Sequence, residues 1–372
     1  MKILIVGDIT APYRIEVFKG LAREYDTTTF FCKAKNEARN DAWYQKSSEE
    51  FTFEILDNDS SISHYNQCIK NINQFGAVLC YTPWPKRSRK LQRICMRKKI
   101  PCILNADGAV SISTSFPKKQ VKTFYVKRAA LCFAGCERAV EYFKAYGAKS
   151  ENIVKHPFSS LTKQQLLSEP LDNSQKSELK TELGMENKVT FITVGQFIYR
   201  KGFDLLLEAW GKTQQSAQLY IIGGGPLEAD YRKIISENSL ENVHIVGFKK
   251  PEELQKYYRA ADAFILPTRE DIWGLVINEA MANALPTISS DKCTAGNELV
   301  SNGYNGYVYP CYDTGALAAH IEELANDEDM RVAYAKNALK AIEEYTIENI
   351  VNSHLESIRK ITAEKKNKGE FL

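Results

Sequence analysis

The chain has 372 residues, 44% of them hydrophobic and 26% charged, with a formal net charge of +3 that is uninformative as a sum. That length exceeds one ordinary core, so two domains are the default, and no stretch reaches the roughly eighteen apolar residues of a membrane span. Nine scattered cysteines, with Cys132 and Cys136 the one close pair and no His or Cys cluster beside them, argue against zinc and for reduced, buried thiols in a cytoplasmic protein.

In chain order, residues 2–6 are too short an apolar run for a signal peptide and read as a first strand that opens onto Gly7-Asp8. Further strands are predicted at 27–32, 77–81, 101–104, 131–134 and 152–154, and helices at 15–25, 61–73, 88–98 and 137–146. This alternation predicts a parallel sheet covered on both faces. Tyr13 and Arg14 follow the first strand and are candidate ligand contacts. In a helix's first turn, Arg14 reads equally well as a surface residue. After the strand at 101–104, Asn105 and Asp107 are candidate ligand contacts. A plain Asx turn with Gly108 at positive φ fits as well.

Charge is uneven in this half. Eight basic residues and no acid stand between Lys86 and Lys99, interleaved with Leu91, Ile94 and Cys95 and preceded by Trp84. From Lys118 to Arg128 a second basic cluster surrounds Phe124 and Tyr125, just after Phe116. Basic segments with aromatics suit an anionic membrane surface. Nucleic acid is attracted by the same charge, but no binding motif accompanies it. A solvated helix covering the sheet is the plain alternative.

Residues 161–187 turn polar, with a helix near 174–183, and read as the crossing between domains. The alternation then restarts, with strands at 189–194, 218–222, 243–246, 263–266 and 286–289. Helices begin near Gly202, Pro226, Pro251, Leu275 and Thr314, and another covers about 330–342. Two doubly wound α/β domains facing a cleft are predicted: residues 1–165 and 166–345, with 346–372 packing back on the first and ending in a frayed tail from Glu364.

Three elements of the second half carry chemistry. Gly195 ends a strand six residues before Lys201-Gly202, so Arg200 and Lys201 stand at a helix start, where cations and the helix dipole clamp a diphosphate. Gly223-Gly224-Gly225-Pro226 is a tight strand-to-helix turn with Pro226 at the first helical position. It is weak evidence for a dinucleotide. In the third element, Asp271 in a loop and Glu279 in a helix's first or second turn flank Trp273-Gly274. Two acids around a helix entrance suit a ligand with hydroxyls at both ends and phosphate between, as in a nucleotide-sugar.

In this order, and with Ala261-Asp262-Ala263, Met281-Ala282 and Asn302-Gly-Tyr-Asn305-Gly306, these elements resemble the retaining glycosyltransferases of the GT-B fold, family-four or "group 1" type. The resemblance is strong over about residues 188–312 and weak over the first half. It implies that Lys201 and Arg200 hold the donor diphosphate, together with backbone N–H groups of Gly274, Leu275 and Val276. It also implies that Glu279 binds the ribose and that Asp271 contacts the transferred sugar. Gly195 borders the donor, and Gly224, Gly225 and Phe248 bound the base.

The chain departs from the family at three points. Asp271, beside Glu270, stands where Glu is usual, and Gln196 replaces a common Arg for which Arg200 can compensate. None of the five histidines (64, 156, 244, 320, 354) lies at the position expected near the reacting centre, where Asp107 or Asn105 stands instead as the candidate contact to the donor sugar or acceptor, with Tyr13 and Arg14 as candidate acceptor or phosphate contacts.

The implied function is a metal-independent transfer of a hexosyl or related sugar from a UDP-, GDP- or ADP-sugar to a saccharide or lipid-linked saccharide, in bacterial capsule, lipopolysaccharide or exopolysaccharide assembly. No cofactor is implied, and no Asp-x-Asp metal motif accompanies the donor elements. The location expected is cytoplasmic, peripheral at the inner face of the plasma membrane. A nucleotide-sugar 2-epimerase and a non-catalytic sugar-nucleotide binding protein are the alternatives, and a dehydrogenase rests only on the glycine triplet.

Overall fold

A computed structural model of the chain describes residues 1–34, 50–108, 115–213 and 216–367. The predicted tail therefore falls partly outside the described residues. The chain divides into two units, residues 1–160 with 345–372, and residues 161–344. The first boundary falls before residue 165 because the segment after it is tied to the second unit: Leu167 donates its amide to the Ala282 carbonyl at 2.9 Å.

The first unit is wound in the order β1 (Lys2–Ile9), α1 (Pro12–Ala22), β2 (Asp26–Lys33), β3 (Glu54–Ile55), α2 (Asp59–Lys70) and β4 (Ala77–Cys80). It continues through α3 (Lys86–Arg97), β5 (Cys102–Ala106), α4 (Phe116–Val126), β6 (Leu131–Ala134), α5 (Glu137–Ala145) and β7 (Ile153–Lys155). Among the described residues these strands form a sheet ordered β3-β2-β1-β4-β5-β6-β7, parallel throughout. Strand β1 is central, pairing Leu4 with Thr28 on one side and Val78 on the other. Its apolar run is buried on both faces, as a covered parallel sheet requires.

The second unit runs through α6 (Asn173–Glu182), β8 (Thr190–Gln196), α7 (Phe203–Trp210), β9 (Gln218–Gly224), α8 (Glu228–Glu237), β10 (Val243–Val246) and α9 (Pro251–Ala260). It ends with β11 (Ala263–Leu266), α10 (Leu275–Ala282), β12 (Thr287–Ser290), α11 (Thr294–Leu299), β13 (Gly306–Tyr309), α12 (Thr314–Asn326) and α13 (Glu328–Ile342). Its sheet is ordered β10-β9-β8-β11-β12-β13. Phe191, Ile221, Ile265 and Ile288 join Trp210, Leu317 and Ile321 in one core. Helix α6 is fastened by a buried polar knot. Lys176 and Lys180 reach Asp262 at 2.9 and 2.7 Å, and the Thr190 amide donates to the same carboxylate. Burial works against the Asp262 charge, but the two ammonium groups outweigh it and hold the carboxyl below its usual range.

The last helix, α14 (Ile347–Asn367), belongs to the first unit. Ile347, Ile350, Val351, Leu355 and Ile358 recur at helical spacing and enter the core with Phe18, Leu21 and Phe31. At roughly 2 kcal/mol per buried aliphatic side chain, these five stabilise the unit by about 10 kcal/mol as an upper bound. Gly20 lets α14 come close, since a Cβ there would lie 2.5 Å from Val351.

Two sequence expectations need correction. Residues 116–126 form α4, although only Tyr125 and Val126 of it are buried and no apolar stripe announces it. Helix α8 starts at Glu228, so Pro226 sits in the preceding turn instead of at the first helical position.

Candidate active site

In the second unit, the candidate residues collect at the carboxyl ends of β8, β9 and β11, where open α/β sheets bind ligands. Beyond β8 the chain makes a 3-10 turn, Tyr199–Lys201, and reverses at Gly202 with φ of 70°. A Cβ at Gly202 would run into the Pro267 carbonyl oxygen, so only glycine allows this approach. The loop after β11 then closes on the turn. Arg269 donates its amide to the Arg200 carbonyl at 2.8 Å, and the Thr268 hydroxyl donates to that carbonyl at 2.9 Å. The Arg269 guanidinium grips Asp204 through two bonds of 2.8 and 2.5 Å and lies 4.0 Å over the Tyr199 ring.

This clamp fixes Lys201. Its side chain crosses Gly195, where a Cβ would come within 3.6 Å of Cδ and Cε, and its Nζ donates to Asp271 Oδ2 at 2.5 Å. Lys201 is 9% exposed, so the ammonium is largely withdrawn from water. Arg200 is more open. It donates to the Glu270 carbonyl at 2.6 Å and stands 3.7 Å from Asp271 Oδ1. Of the two neighbouring acids, Asp271 faces the cations, whereas Glu270 is exposed.

Asp271 is held by its backbone. Its amide donates to the Lys292 carbonyl at 3.0 Å, and its carbonyl accepts from the Thr294 amide at 3.3 Å. The Trp273 indole donates to Asn278 Oδ1 at 2.8 Å, within α10. Gly274 takes φ of 97° as the N-cap of α10, and a Cβ there would meet Cys293 Sγ at 2.5 Å. Among the described residues no side chain caps this end. The amides of Gly274, Leu275 and Val276 therefore stand at a helix entrance, where an anion is the natural partner.

Glu279 lies in the second turn of α10. The Tyr258 hydroxyl of α9, itself buried, donates to Glu279 Oε2 at 3.0 Å. Burial pushes the Glu279 carboxyl up to about 7, opposed by the Tyr258 hydrogen bond and by the Lys201 charge. Burial and the facing carboxylate together raise the Tyr258 phenol well above its usual value.

The glycine triplet is bound to the loop after β8. Phe197 donates its amide to the Gly224 carbonyl at 2.9 Å, and the Leu227 amide donates back to the Phe197 carbonyl at 3.1 Å. These bonds delay the helix to Glu228. Gly225 lies against the Phe197 backbone, whereas a Cβ at Gly224 would meet nothing within 4 Å. Phe248, after β10, stands apart with its ring 63% exposed.

In the first unit, Arg14 and Asp107 form a two-pronged ion pair, and Asn105 Nδ2 donates to Asp107 Oδ1 at 2.5 Å. Arg14 is thus not a free surface residue, and the Asp107 carboxylate is engaged by Arg14 as well as locally. The guanidinium lies 4.3 Å over the Tyr81 ring and 5.3 Å over that of Tyr13, which meets Phe158 edge-on. Burial disfavours the Arg14 charge, but Asp107 outweighs it and holds the group protonated above its ordinary range.

Two histidines join this cluster, which sequence reasoning missed. His156 follows β7, with Nδ1 2.9 Å from the Pro157 carbonyl. His354 comes from α14, stacks 3.8 Å from the Phe133 ring and lies 5.0 Å from the His156 ring. Burial lowers both imidazoles below their usual range, with His156 and Arg14 adding to the effect on His354. No local pattern signals the pair, because its members are nearly two hundred residues apart. Among the described residues, no group of three or more His, Cys, Asp or Glu side chains is placed to hold a metal ion, and no helix is long and apolar enough to cross a membrane.

The family model "Glycosyl transferases group 1" matches residues 175–341. Alpha-D-kanosaminyltransferase of Streptomyces kanamyceticus is 28% identical over 169 residues, 44% of this chain and 44% of that protein. O-antigen chain mannosyltransferase C of Escherichia coli is 29% identical over 168 residues, 44% of this chain and 45% of that protein. The chain therefore matches less than half the length of these curated relatives. HepE of Anabaena, solved in complex with UDP, superposes with a TM-score of 0.78 at 18% identity, covering 97% of this chain and all of that one. At that identity the likeness speaks for the fold, which is GT-B.

Proposed function

We propose, from the match of residues 175–341 to the group 1 glycosyl transferase model, that this chain is a retaining glycosyltransferase acting in the assembly of a bacterial surface polysaccharide. It moves a hexosyl or related sugar from a UDP-, GDP- or ADP-sugar to a saccharide or lipid-linked saccharide. One observation carries this reading: Lys201 bonds to Asp271 on one side and acts on the Glu279 carboxyl on the other, beside the open amide end of α10. A cation, a helix N-terminus and two acids suit a ligand of the form sugar–diphosphate–ribose.

In this reading the donor diphosphate lies against Lys201, Arg200 and the amides of Gly274, Leu275 and Val276. As the bond from the anomeric carbon to the diphosphate oxygen breaks, these groups stabilise the charge on the leaving group without a metal ion. Asp271 contacts hydroxyls of the transferred sugar and opposes positive charge on its ring. Ionised Glu279 accepts the ribose hydroxyls. Gly195, Gly224, Gly225 and Phe248 border the base. The acceptor hydroxyl attacks from the leaving-group side, and the departing phosphate takes its proton. Tyr13, Arg14, Asn105 and Asp107 serve the acceptor side. The basic segments Lys86–Lys99 and Lys118–Arg128 hold the protein at the inner face of the plasma membrane.

The test is a thermal-shift panel of UDP-, GDP- and ADP-sugars followed by transfer assays, since a ligand of the folded state raises its melting temperature. Wild-type turnover in either Lys201→Ala or Glu279→Ala would refute the donor site. An epimerised nucleotide-sugar formed without acceptor identifies the 2-epimerase, and binding with no turnover identifies the binding protein.

A further inference from the structure

Tyr199 and Tyr312 are large side chains that the second unit leaves outside its core, 66% and 59% exposed. Single exposed aromatics are ordinary, but these two share one mount. The Arg269 guanidinium carbon lies 4.0 Å from the centre of the Tyr199 ring and 5.5 Å from that of Tyr312. That mount is fixed and turned away from water. Its side chain is 8% exposed, bonded to both Asp204 oxygens and, at 2.7 Å, to the Tyr199 carbonyl. One rigid cation therefore backs both rings and leaves them open to solvent on one patch.

Tyr312 reaches this position against the preference of its backbone. It follows β13 with φ of 74°, a left-handed turn in which a β-carbon is crowded and glycine or asparagine is at ease. Neighbouring bonds hold the turn. The Cys311 amide donates to Asp291 Oδ1 at 2.9 Å, and the Asp313 amide donates to the Pro310 carbonyl at 3.0 Å. A bulky ring kept in a strained turn, yet outside the core, is not there for packing. What the strain secures is the ring's exposed surface.

The patch adjoins the candidate active site. Tyr199 stands two residues before Lys201, and Arg269 two before Asp271. The Arg269 amide joins the two loops by donating to the Arg200 carbonyl at 2.8 Å. The rings and the Lys201–Asp271 pair are thus carried by the same two loops. Two rings are too small a face for a protein partner, which covers roughly 800 Å² of each surface. A sugar ring fits better. Its C–H face is apolar and slightly positive and stacks on the electron-rich face of an aromatic, while its hydroxyl rim meets phenol oxygens and water.

We infer that Tyr199 and Tyr312 form a stacking platform for uncharged sugar rings of the acceptor other than the one that reacts. Part of acceptor recognition then belongs to the second unit, and the substrate class is an extended saccharide instead of a single sugar. This rests on the glycosyltransferase reading and deepens it.

Saturation-transfer NMR on the full chain, with maltohexaose, cellohexaose and mannohexaose as probes, tests the platform. At least one hexasaccharide should bind through its C–H protons, and glucose and mannose should bind far more weakly. Tyr199→Ala with Tyr312→Ala should weaken hexasaccharide binding on the order of tenfold, as loss of aromatic anchors does. Tyr199→Phe with Tyr312→Phe keeps the rings and should keep most of the affinity. Tyr312→Asn relaxes the turn, so its melting temperature should hold or rise while hexasaccharide affinity falls.

Binding of none of the three hexasaccharides, or full binding by the alanine variant, overturns the proposal. So does a lower melting temperature in Tyr312→Asn with unchanged affinity, which would make the ring structural. Self-association lost in the alanine variant, without saccharide binding, would assign the patch to a second copy. Thermal shift by UDP, GDP and ADP reports separately on the donor site and should be the same in the native and alanine proteins. A shift that disappears with the rings while the saccharides still bind would assign them to the nucleotide. Ring-dependent saccharide binding with no nucleotide shift in the native protein would keep the platform and remove the donor reading.

Discussion

Tyr258 holds Glu279 by a single hydrogen bond, hydroxyl to Oε2 at 3.0 Å, and so ties the second turn of α10 to α9. Burial raises this carboxyl from 4.5 to about 7. A carboxyl with a raised folded-state value binds more protons folded than unfolded between those limits. Its contribution to stability is therefore present below about 4.5 and is lost as pH rises through about 7. Glu279→Gln keeps an acceptor for Tyr258 and removes the titration. Melting curves of the variant should exceed those of the native protein above pH 7 and converge with them near 4.5; parallel curves at all pH values would contradict the burial argument.

In the proposed donor site the same carboxyl binds the ligand. Ribose hydroxyls donate to an ionised acid, so affinity for a nucleoside diphosphate should rise through about pH 7. Tyr258→Phe removes a bond that lowers the Glu279 value and should move the midpoint of the titration upward. Calorimetry across this pH range reads the shift directly; an unmoved midpoint separates Tyr258 from the site.

Lys201 and Asp271 are coupled. Removing the cation alone leaves a mostly buried carboxylate, so Lys201→Met should cost about 2 kcal/mol, below the roughly 3–5 of fully buried pairs. Adding Asp271→Asn should recover much of that stability in a denaturation cycle. Turnover should fall about a hundred- to a thousandfold in Lys201→Met, as for loss of a preorganised charge-stabilising group. The double variant should not regain it.

Two glycines of the proposed donor region should differ sharply. Gly202→Ala places a Cβ against the Pro267 carbonyl at φ of 70° and should cost upwards of about 2 kcal/mol. Gly224→Ala enters open space and should cost less than about 1 kcal/mol. Urea unfolding of the two variants makes the comparison.

Acid sensitivity should trace to the first unit. His354 is buried neutral with a value well below 6.5, so the unfolded chain takes up a proton that the folded one refuses. Stability is lost as pH falls below 6.5 and continues to fall until the folded-state value is reached. His354→Phe preserves an aromatic ring against Phe133 and should flatten this acid limb in a series of melting temperatures.

The sequence carries the alternation of strands and helices well, because covered parallel strands are short continuous apolar runs. It also places Asp271 in a loop and Glu279 on the helix that follows, since Trp273-Gly274 and the run from Leu275 are local signals. Helix α4 is not legible, as its lysines and outward aromatics mask the two residues it buries. Strand β3 has two residues and α11 six, too few for a period to register. The partners of the site residues are invisible for another reason. Tyr258 with Glu279, Arg269 with Asp204, Arg14 with Asp107 and His156 with His354 are each joined by the winding of the sheets, which no local spacing encodes.

The return of α14 to the first unit also sets an order of events during synthesis. The second unit is one uninterrupted stretch, residues 161–344, and holds its whole core by the time residue 344 has emerged. The first unit begins earlier but waits for Ile347 through Ile358 to fill its core and for His354 to reach Phe133. On the ribosome the middle of the chain therefore completes its fold before its beginning does, against the usual N-terminal-first order. A nascent chain arrested before residue 345 would carry a finished second unit and a first unit with the Phe18 and Phe31 side of its sheet uncovered.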